Sequence, residues 1–148
     1  MSTILISVVM PARNASQTIA IAIESILQQT HQDLELIIVD DNSTDDTTDI
    51  ARGYAARDQR VRVYSLPQDD PERFSLNGTN INAGWAARNH GMGLAEGEWI
   101  TFQDADDASL LNRIRVQHEF AVKYGSSHVC IDWQKYVSEH LGKYLDLD

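Results

Sequence analysis

The sequence has few basic residues, one cysteine and no long apolar run, and each shortage excludes a class of protein. Twelve Lys and Arg residues stand against twenty-two Asp and Glu residues, which gives a formal net charge of −10. Such a surface repels nucleic acid and anionic lipid, so nucleic acid is not an expected partner. An anionic ligand would need a favourable partner on this surface, and a bound cation could be that partner, because hard divalent ions bridge carboxylates to phosphates.

The single cysteine, Cys130, has no second cysteine with which to form an internal disulfide bond. Its apolar surroundings favour a reduced, buried thiol. The N-terminus carries no basic region, and the apolar run from Ile4 to Met10 is too short to span a bilayer. We therefore expect a cytoplasmic protein with no transmembrane segment, which could also work peripherally at the inner face of the membrane.

Two hydrophobic patterns alternate along the 148 residues, a length that suits one domain. Continuous β-branched runs predict strands buried on both faces, and apolar residues spaced by three and four predict helices. The predicted strands are Ile4 to Met10 (ending at Pro11), Leu34 to Val39, Val61 to Leu66, Glu98 to Gln103 and Val129 to Trp133. The predicted helices are Ser16 to Gln28, Thr47 to Arg57, Gly84 to Glu96 (interrupted by Gly91 and Gly93) and Leu110 to Tyr124. This order predicts an α/β fold, a three-layer α/β/α sandwich around a mostly parallel sheet.

Polar clusters follow three of the predicted strands. They read Pro11-Ala12-Arg13-Asn14, Asp40-Asp41-Asn42-Ser43 and Asp104-Ala105-Asp106-Asp107. Ligands bind such sheets beyond the carboxyl ends of the strands, so the clusters should share one crevice. Unpaired carboxylates repel one another, so this crevice needs a divalent cation or donor groups from a ligand. For Asp45, Asp46 and Asp107 we favour a simpler role, the capping of a helix.

The sequence resembles one known family over most of its length. The resemblance lies in the motifs VVMPARN, SILQQT, LELIIVDDNSTDDT and NAGWAARNHGMGLAEGEWITFQDADD. Their order and spacing are similar to those of the nucleotide-binding region of inverting family 2 glycosyltransferases. The resemblance covers Ile6 to about Arg115. It implies a Rossmann-like GT-A fold, truncated at the C-terminus, in which residues 1–148 form one nucleotide-sugar-binding domain, the N-terminal half of such an enzyme.

The resemblance assigns nucleotide contacts to the first two clusters. It implies that Pro11, Ala12 and Arg13 frame the base and ribose. Asp41 would accept a hydrogen bond from a base N–H, because a carboxylate can only accept. Uracil and guanine both offer such a donor, so Asp41 does not decide between a uridine and a guanosine nucleotide.

The third cluster matches the DxD motif of the family. By resemblance, Asp106 would bind Mn²⁺ or Mg²⁺ directly, and Asp104 would hold the ribose or a metal-bound water. The small Ala105 would let the loop lie close to the ligand. Arg88 is either a second cation for the donor or one partner of a structural salt bridge.

The implied reaction transfers a sugar from a nucleotide diphosphate, with a UDP-sugar as the expected donor, to a hydroxyl of a glycan or lipid-linked glycan. Such a reaction belongs to polysaccharide biosynthesis. Inversion requires a carboxylate base, which in the family lies well after the DxD motif, so we expect it beyond Asp148. The alternative is a catalytically incomplete nucleotide-sugar-binding or interaction domain that lacks this base. A sheet truncated at the C-terminus would also expose an apolar surface that the missing segment would cover, and such a surface favours a homo-oligomer.

Overall fold

The computed structural model describes residues 4–67, 75–77, 79 and 84–129. Within these residues, four strands alternate with four helices. The strands are β1 (Ile6–Ala12), β2 (Leu34–Asp40), β3 (Val61–Ser65) and β4 (Trp99–Phe102). The helices are α1 (Ile19–Leu27), α2 (Thr47–Ala55), α3 (Trp85–Leu94) and α4 (Arg113–Tyr124). Of the fifth predicted strand only Val129 is described, and Cys130 lies outside the described residues.

The four strands form one parallel sheet in the order β3-β2-β1-β4. Strands β1 and β2 pair along their whole length, from Ile6 opposite Leu34 to Ala12 opposite Asp40. The chain builds the sheet outward from β1 to β3 and then adds β4 on the other side of β1. The topological switch point, where such sheets bind ligands, therefore lies between β1 and β4.

Successive side chains of the central strands face two separate hydrophobic cores, as the pleat of a strand requires. Ile38 of β2 belongs to a core formed with α1, α2 and Ile114 of α4. Ile37 and Val39 face the opposite way and pack against Ala87 of α3. Helices therefore cover both faces of the sheet, which confirms the predicted three-layer sandwich.

Strand β1 continues through Pro11, where the sequence predicted its end. The Val9 carbonyl accepts a hydrogen bond from the Gln103 N–H on the β4 side, at 3.1 Å. The Ala12 carbonyl accepts from the Asp41 N–H on the β2 side, at 2.8 Å. Pro11 thus faces the β4 side, beyond the last paired residue of that strand. Its missing N–H removes no hydrogen bond from the sheet, and the strand tolerates it.

Helix α3 runs without a break through Gly91, although the sequence predicted an interruption there. A Cβ atom on Gly91 would lie 2.4 Å from Val9 Cγ1 and 3.3 Å from Val39 Cγ2. The missing side chain lets α3 lie directly on β1 and β2. At Gly93, by contrast, no atom of the described residues outside α3's own backbone and the two neighbouring residues lies within 4 Å of a Cβ position.

Helix α4 begins at Arg113 rather than at Leu110, where the sequence predicted its start. The carbonyl groups of Leu110 and Leu111 accept hydrogen bonds from Gln29 and Thr30, which follow α1. Gly125, at φ 59°, ends the helix as predicted. The sequence predicts that Val122 shares one apolar face with Leu110, Ile114 and Ala121, but Val122 is 62% exposed. At twelve residues, α4 is the longest helix described, and no described helix has the length and apolar content needed to cross a membrane.

A buried polar network closes the amino end of the sheet. The Oε1 atom of Glu35 accepts hydrogen bonds from Ser7 Oγ at 2.6 Å and from the Glu96 N–H at 2.7 Å. Its Oε2 atom accepts from Arg62 Nη1 at 2.7 Å. Burial raises the pKa of Glu35, but the hydrogen bonds from these three donors outweigh burial, and the net pKa is lowered. The fold therefore holds this carboxyl group in its ionised form.

We expect Glu35→Gln to lower the free energy of unfolding by about 2 kcal/mol near pH 7, because an amide cannot accept all three hydrogen bonds. The folded pKa lies below its ordinary value of 4.5. The stabilisation by Glu35 is therefore complete above that value and is lost as the pH falls through the lowered folded pKa.

Urea unfolding from neutral to acidic pH measures this difference. The difference in the free energy of unfolding between wild type and Glu35→Gln should become smaller in acid. Glu98→Gln, at an exposed site, should have nearly the stability of the wild type at any pH. A difference for Glu35→Gln that stays constant with pH would show that ionisation of Glu35 does not contribute to stability.

Candidate functional site

The three polar clusters meet in one crevice at the carboxyl edge of the sheet. The cavity has a volume of about 620 Å³, which is within the usual range of ligand sites. It is lined by every residue that the sequence assigned to the site, namely Pro11, Ala12, Arg13, Asp41, Arg88, Asp104, Ala105 and Asp106. The structure therefore brings all of these residues together beside the switch point of the sheet.

Side-chain hydrogen bonds join the loop after β1 to the loop after β2. Asn14 has a positive φ of 49°, a conformation that Asn tolerates better than most residues. Its N–H donates to Ser43 Oγ at 3.0 Å, and its Oδ1 accepts from the Thr44 N–H at 2.8 Å. The Ala15 N–H donates to Thr47 Oγ1 at 2.7 Å. These contacts fix one wall of the crevice.

Of the three predicted caps, the structure confirms Asp45 alone. Asp45 Oδ1 accepts from the Thr47 N–H at 3.1 Å, and its Oδ2 accepts from the Ser16 N–H at 3.1 Å. Hydrogen bonding, first from the Thr47 hydroxyl, lowers the pKa of Asp45. Asp46 makes no capping bond with its side chain within the described chain. The capping role of Asp107 is wrong, because α4 begins only at Arg113.

Asp40, the last residue of β2, and Asp41, which follows it, make different contacts. The Asp40 carboxylate accepts from the Ser43 N–H at 3.3 and 3.4 Å and closes the turn. Asp41 is 2% exposed and lies in the wall of the crevice. Arg13 Nη1 donates to the Asp41 carbonyl oxygen and lies 4.0 Å from Asp41 Oδ1. Asp41 is therefore the aspartate of this pair that lines the crevice.

Helix α3 contacts the acidic loop through Arg88. Its Nη2 atom donates to Asp104 Oδ1, so the salt bridge that we gave as one role of Arg88 is present. Gly84 precedes the helix at φ 75°, a conformation that favours glycine. A Cβ atom there would lie 3.2 Å from both Pro11 Cβ and Arg88 Nη1. Glycine at this position lets the start of α3 approach the end of β1.

Three carboxylates after β4 lie close enough to share an ion. One oxygen from each of Asp104, Asp106 and Asp107 falls within 4.8 Å of the others. Burial, and then the negative charges of Asp106 and Asp104, raise the pKa of Asp107. Mg²⁺ holds its oxygen ligands at about 2.1 Å, so opposite ligands lie about 4.2 Å apart. The spacing and chemistry of these oxygens fit a hard divalent cation.

Sequence analysis missed the polar side chains that anchor this acidic loop. Gln103, which is buried, donates from Nε2 to the Asp104 carbonyl at 3.1 Å and accepts from Ser109 Oγ at 2.5 Å. Gln29 is fully buried after α1 and bonds to the backbone beyond the loop. A signal for Gln29 was present, since it comes three residues after the buried Ile26 and so continues the apolar face of α1.

Sequence comparison identifies the family. The family described as Glycosyl transferase family 2 matches residues 7–75 and 76–146. Glycosyltransferase GlyG of Streptococcus pneumoniae serotype 4 is 36% identical over 115 residues, which cover 78% of this chain and 34% of GlyG. The UDP-Glc:alpha-D-GlcNAc-diphosphoundecaprenol beta-1,3-glucosyltransferase WfgD of Escherichia coli is 31% identical over 123 residues, which cover 83% of this chain and 43% of WfgD.

Structural comparison agrees with the sequence matches. The crystal structure of Staphylococcus aureus TarS aligns with a TM-score of 0.65 and 26% identity, covering 81% of this chain and 20% of TarS. This likeness confirms the predicted GT-A type of α/β fold. The chain spans only 34% of GlyG and 43% of WfgD. Since the family match takes in both the β1 to β3 region and the acidic loop, the chain belongs to glycosyltransferase family 2.

Proposed function

We propose that the crevice binds the donor of a glycosyl transfer, a nucleoside diphosphate sugar, with a divalent cation between protein and diphosphate. The proposal rests on one observation. This chain, a member of family 2, has Asp41, Arg88 and three neighbouring carboxylates together at the switch point of its sheet. Ligands of α/β proteins bind at that position.

The loops after β1 and β2 suit the base of the nucleotide. Asp41 is almost fully buried in the crevice wall and can only accept hydrogen bonds. A base that offers an N–H, such as uracil, brings a further donor to this acceptor, whereas a base without one adds no hydrogen bond there and should bind more weakly. Pro11 and Ala12 line the same part of the crevice, and Arg13 contacts Asp41. We assign these residues to the base and ribose.

The acidic loop suits the diphosphate only together with a cation. Carboxylates repel phosphate, so Asp104, Asp106 and Asp107 would disfavour a diphosphate without a neutralising ion. Mn²⁺ or Mg²⁺ held by Asp106 and Asp104 would supply Lewis-acid stabilisation of the leaving nucleoside diphosphate. Arg88, fixed to Asp104, places a second positive charge beside the same loop.

The expected reaction is transfer of the sugar to an acceptor hydroxyl with inversion. The name of WfgD specifies a UDP-sugar donor and a diphosphoundecaprenol-linked acceptor. This name supports a UDP-sugar donor and a lipid-linked glycan acceptor here. We propose that the reaction belongs to polysaccharide biosynthesis and takes place in the cytoplasm. The acceptor hydroxyl needs a carboxylate base, which the family resemblance assigns to a position after the DxD motif.

Calorimetry with UDP and GDP tests the proposal. We expect binding in Mn²⁺ or Mg²⁺ and affinity lower by about tenfold or more in a chelator, because the carboxylates then face the diphosphate directly. UDP should bind more tightly than GDP. Uridine is the matched control, since it has no diphosphate and its binding should not depend on the metal.

Two results would contradict parts of this proposal. Equal UDP binding in metal and in chelator would exclude the cation as the bridge to the diphosphate. Absence of binding by both nucleotides in the presence of metal would exclude the crevice as a nucleotide site.

A further inference from the structure

A buried glutamine after α1 contacts both the start of α4 and the segment before it. Gln29 is 0% exposed. Its amide nitrogen donates to the carbonyl oxygens of Ser25 at 2.9 Å and Leu110 at 2.7 Å. Its amide oxygen accepts from the Ile114 N–H at 3.0 Å. The side chain therefore connects the end of α1 to a segment that lies more than eighty positions later in the sequence.

The bond from the Ile114 N–H to Gln29 caps α4 from the segment that follows α1. The first N–H groups of a helix have no acceptor within that helix. Asn112, the residue that precedes α4, makes no capping bond with its side chain in the described structure. Gln29 supplies an acceptor for the first turn in its place. The position of α4 is thus fixed relative to α1.

Further hydrogen bonds hold the segment between the acidic loop and α4. The Ser109 N–H donates to Ser25 Oγ at 3.0 Å, and the Thr30 N–H donates to the Leu111 carbonyl at 2.8 Å. At the other end of the loop, Gln103 bonds to the Asp104 carbonyl at 3.1 Å. The acidic residues therefore lie on a short loop that is anchored at both ends.

We propose that Gln29 is a positioning residue for the cation site, acting through the backbone of Leu110 and Ile114. Carboxylates whose oxygens lie within 4.8 Å repel one another. A loosely held loop would let these carboxylates separate. Anchoring the loop before the ion arrives reduces the ordering that binding requires. This inference rests on the proposed metal-dependent binding of a nucleotide.

The test compares Gln29→Met with Gln28→Met. Methionine keeps the approximate size of Gln29 and removes its three hydrogen bonds, while the neighbouring Gln28 is exposed. Titration of Mn²⁺ in the presence of UDP should show about tenfold weaker Mn²⁺ binding for Gln29→Met and none of this loss for Gln28→Met. Amide hydrogen exchange in residues 104–112, measured without metal, should become faster in Gln29→Met alone.

A stability control separates positioning from general destabilisation. Glu35→Gln weakens the fold at the opposite edge of the sheet and should leave Mn²⁺ affinity unchanged. If Gln29→Met does not fold, Gln29→Asn replaces it, because this shorter, uncharged amide cannot keep its hydrogen bonds to Ser25, Leu110 and Ile114 together. It should show weaker Mn²⁺ binding in the same direction.

A folded Gln29 variant with wild-type Mn²⁺ affinity would overturn the inference. If the wild type itself does not bind Mn²⁺ with UDP, the proposed function fails instead. Hydrogen exchange then decides the role of Gln29 by itself: unchanged exchange in residues 104–112 overturns the anchoring, and faster exchange supports it.

Discussion

Asp106→Asn should remove the metal-dependent part of UDP binding. The apparent affinity for UDP in Mn²⁺ should fall by about 100-fold or more, a larger loss than is usual for residues that only support the metal ligands. The asparagine keeps the size of the side chain but loses the negative charge that a hard cation needs. Asp106 is exposed and lines the crevice, so the substitution should leave stability nearly unchanged. Calorimetry with UDP in Mn²⁺ and in chelator measures both parts of the affinity.

Asp46→Asn is the matched control for this loss. It makes the same change of charge at an exposed aspartate with no capping bond from its side chain in the described chain, and it should bind UDP like the wild type. Asp107→Asn shows whether the third carboxylate of the cluster also holds the ion. If Asp106→Asn keeps full metal-dependent binding while Asp107→Asn loses it, our assignment of the metal ligand within the acidic loop is wrong.

The layout of the fold could be predicted from the sequence because the layers follow from local patterns. Apolar runs such as Leu34 to Val39 are buried on both faces, and the structure places them at the centre of a parallel sheet. The crevice was predictable for the same reason. Once strands are parallel, the residues that follow them, such as Asp41 and Asp106, must lie at one edge of the sheet.

Contacts between distant segments decided the features that the sequence did not reveal. The start of α4 shifted because the carbonyls of Leu110 and Leu111 bond to Gln29 and Thr30, and no local pattern near residue 110 encodes those partners. Pro11 stays in β1 because it pairs with Val39 of β2, while the pairing with β4 ends at Val9. The pairing with β2, which local sequence does not show, therefore extends the strand past the proline.

Gly91→Ala should lower the free energy of unfolding by about 3 kcal/mol, the upper part of the range for overpacked cores. A new Cβ atom would lie 2.4 Å from Val9 Cγ1. Val9 is fully buried in a central strand, and its β-branched side chain has few other rotamers. Helix α3 must therefore move away from the sheet. Because α3 carries Arg88 into the crevice, UDP affinity in Mn²⁺ should fall as well.

Gly93→Ala is the matched control, with the same change two residues later on the same helix. Apart from the neighbouring residues and the backbone of α3 itself, the described structure has no atom within 4 Å of the new Cβ, and alanine is a better helix former than glycine by up to about 1 kcal/mol. This variant should therefore be slightly more stable than the wild type, with unchanged UDP binding. Thermal and urea unfolding of the two variants should give shifts of opposite sign. Equal shifts would mean that helix propensity, rather than the contact of Gly91 with Val9, governs the stability of α3.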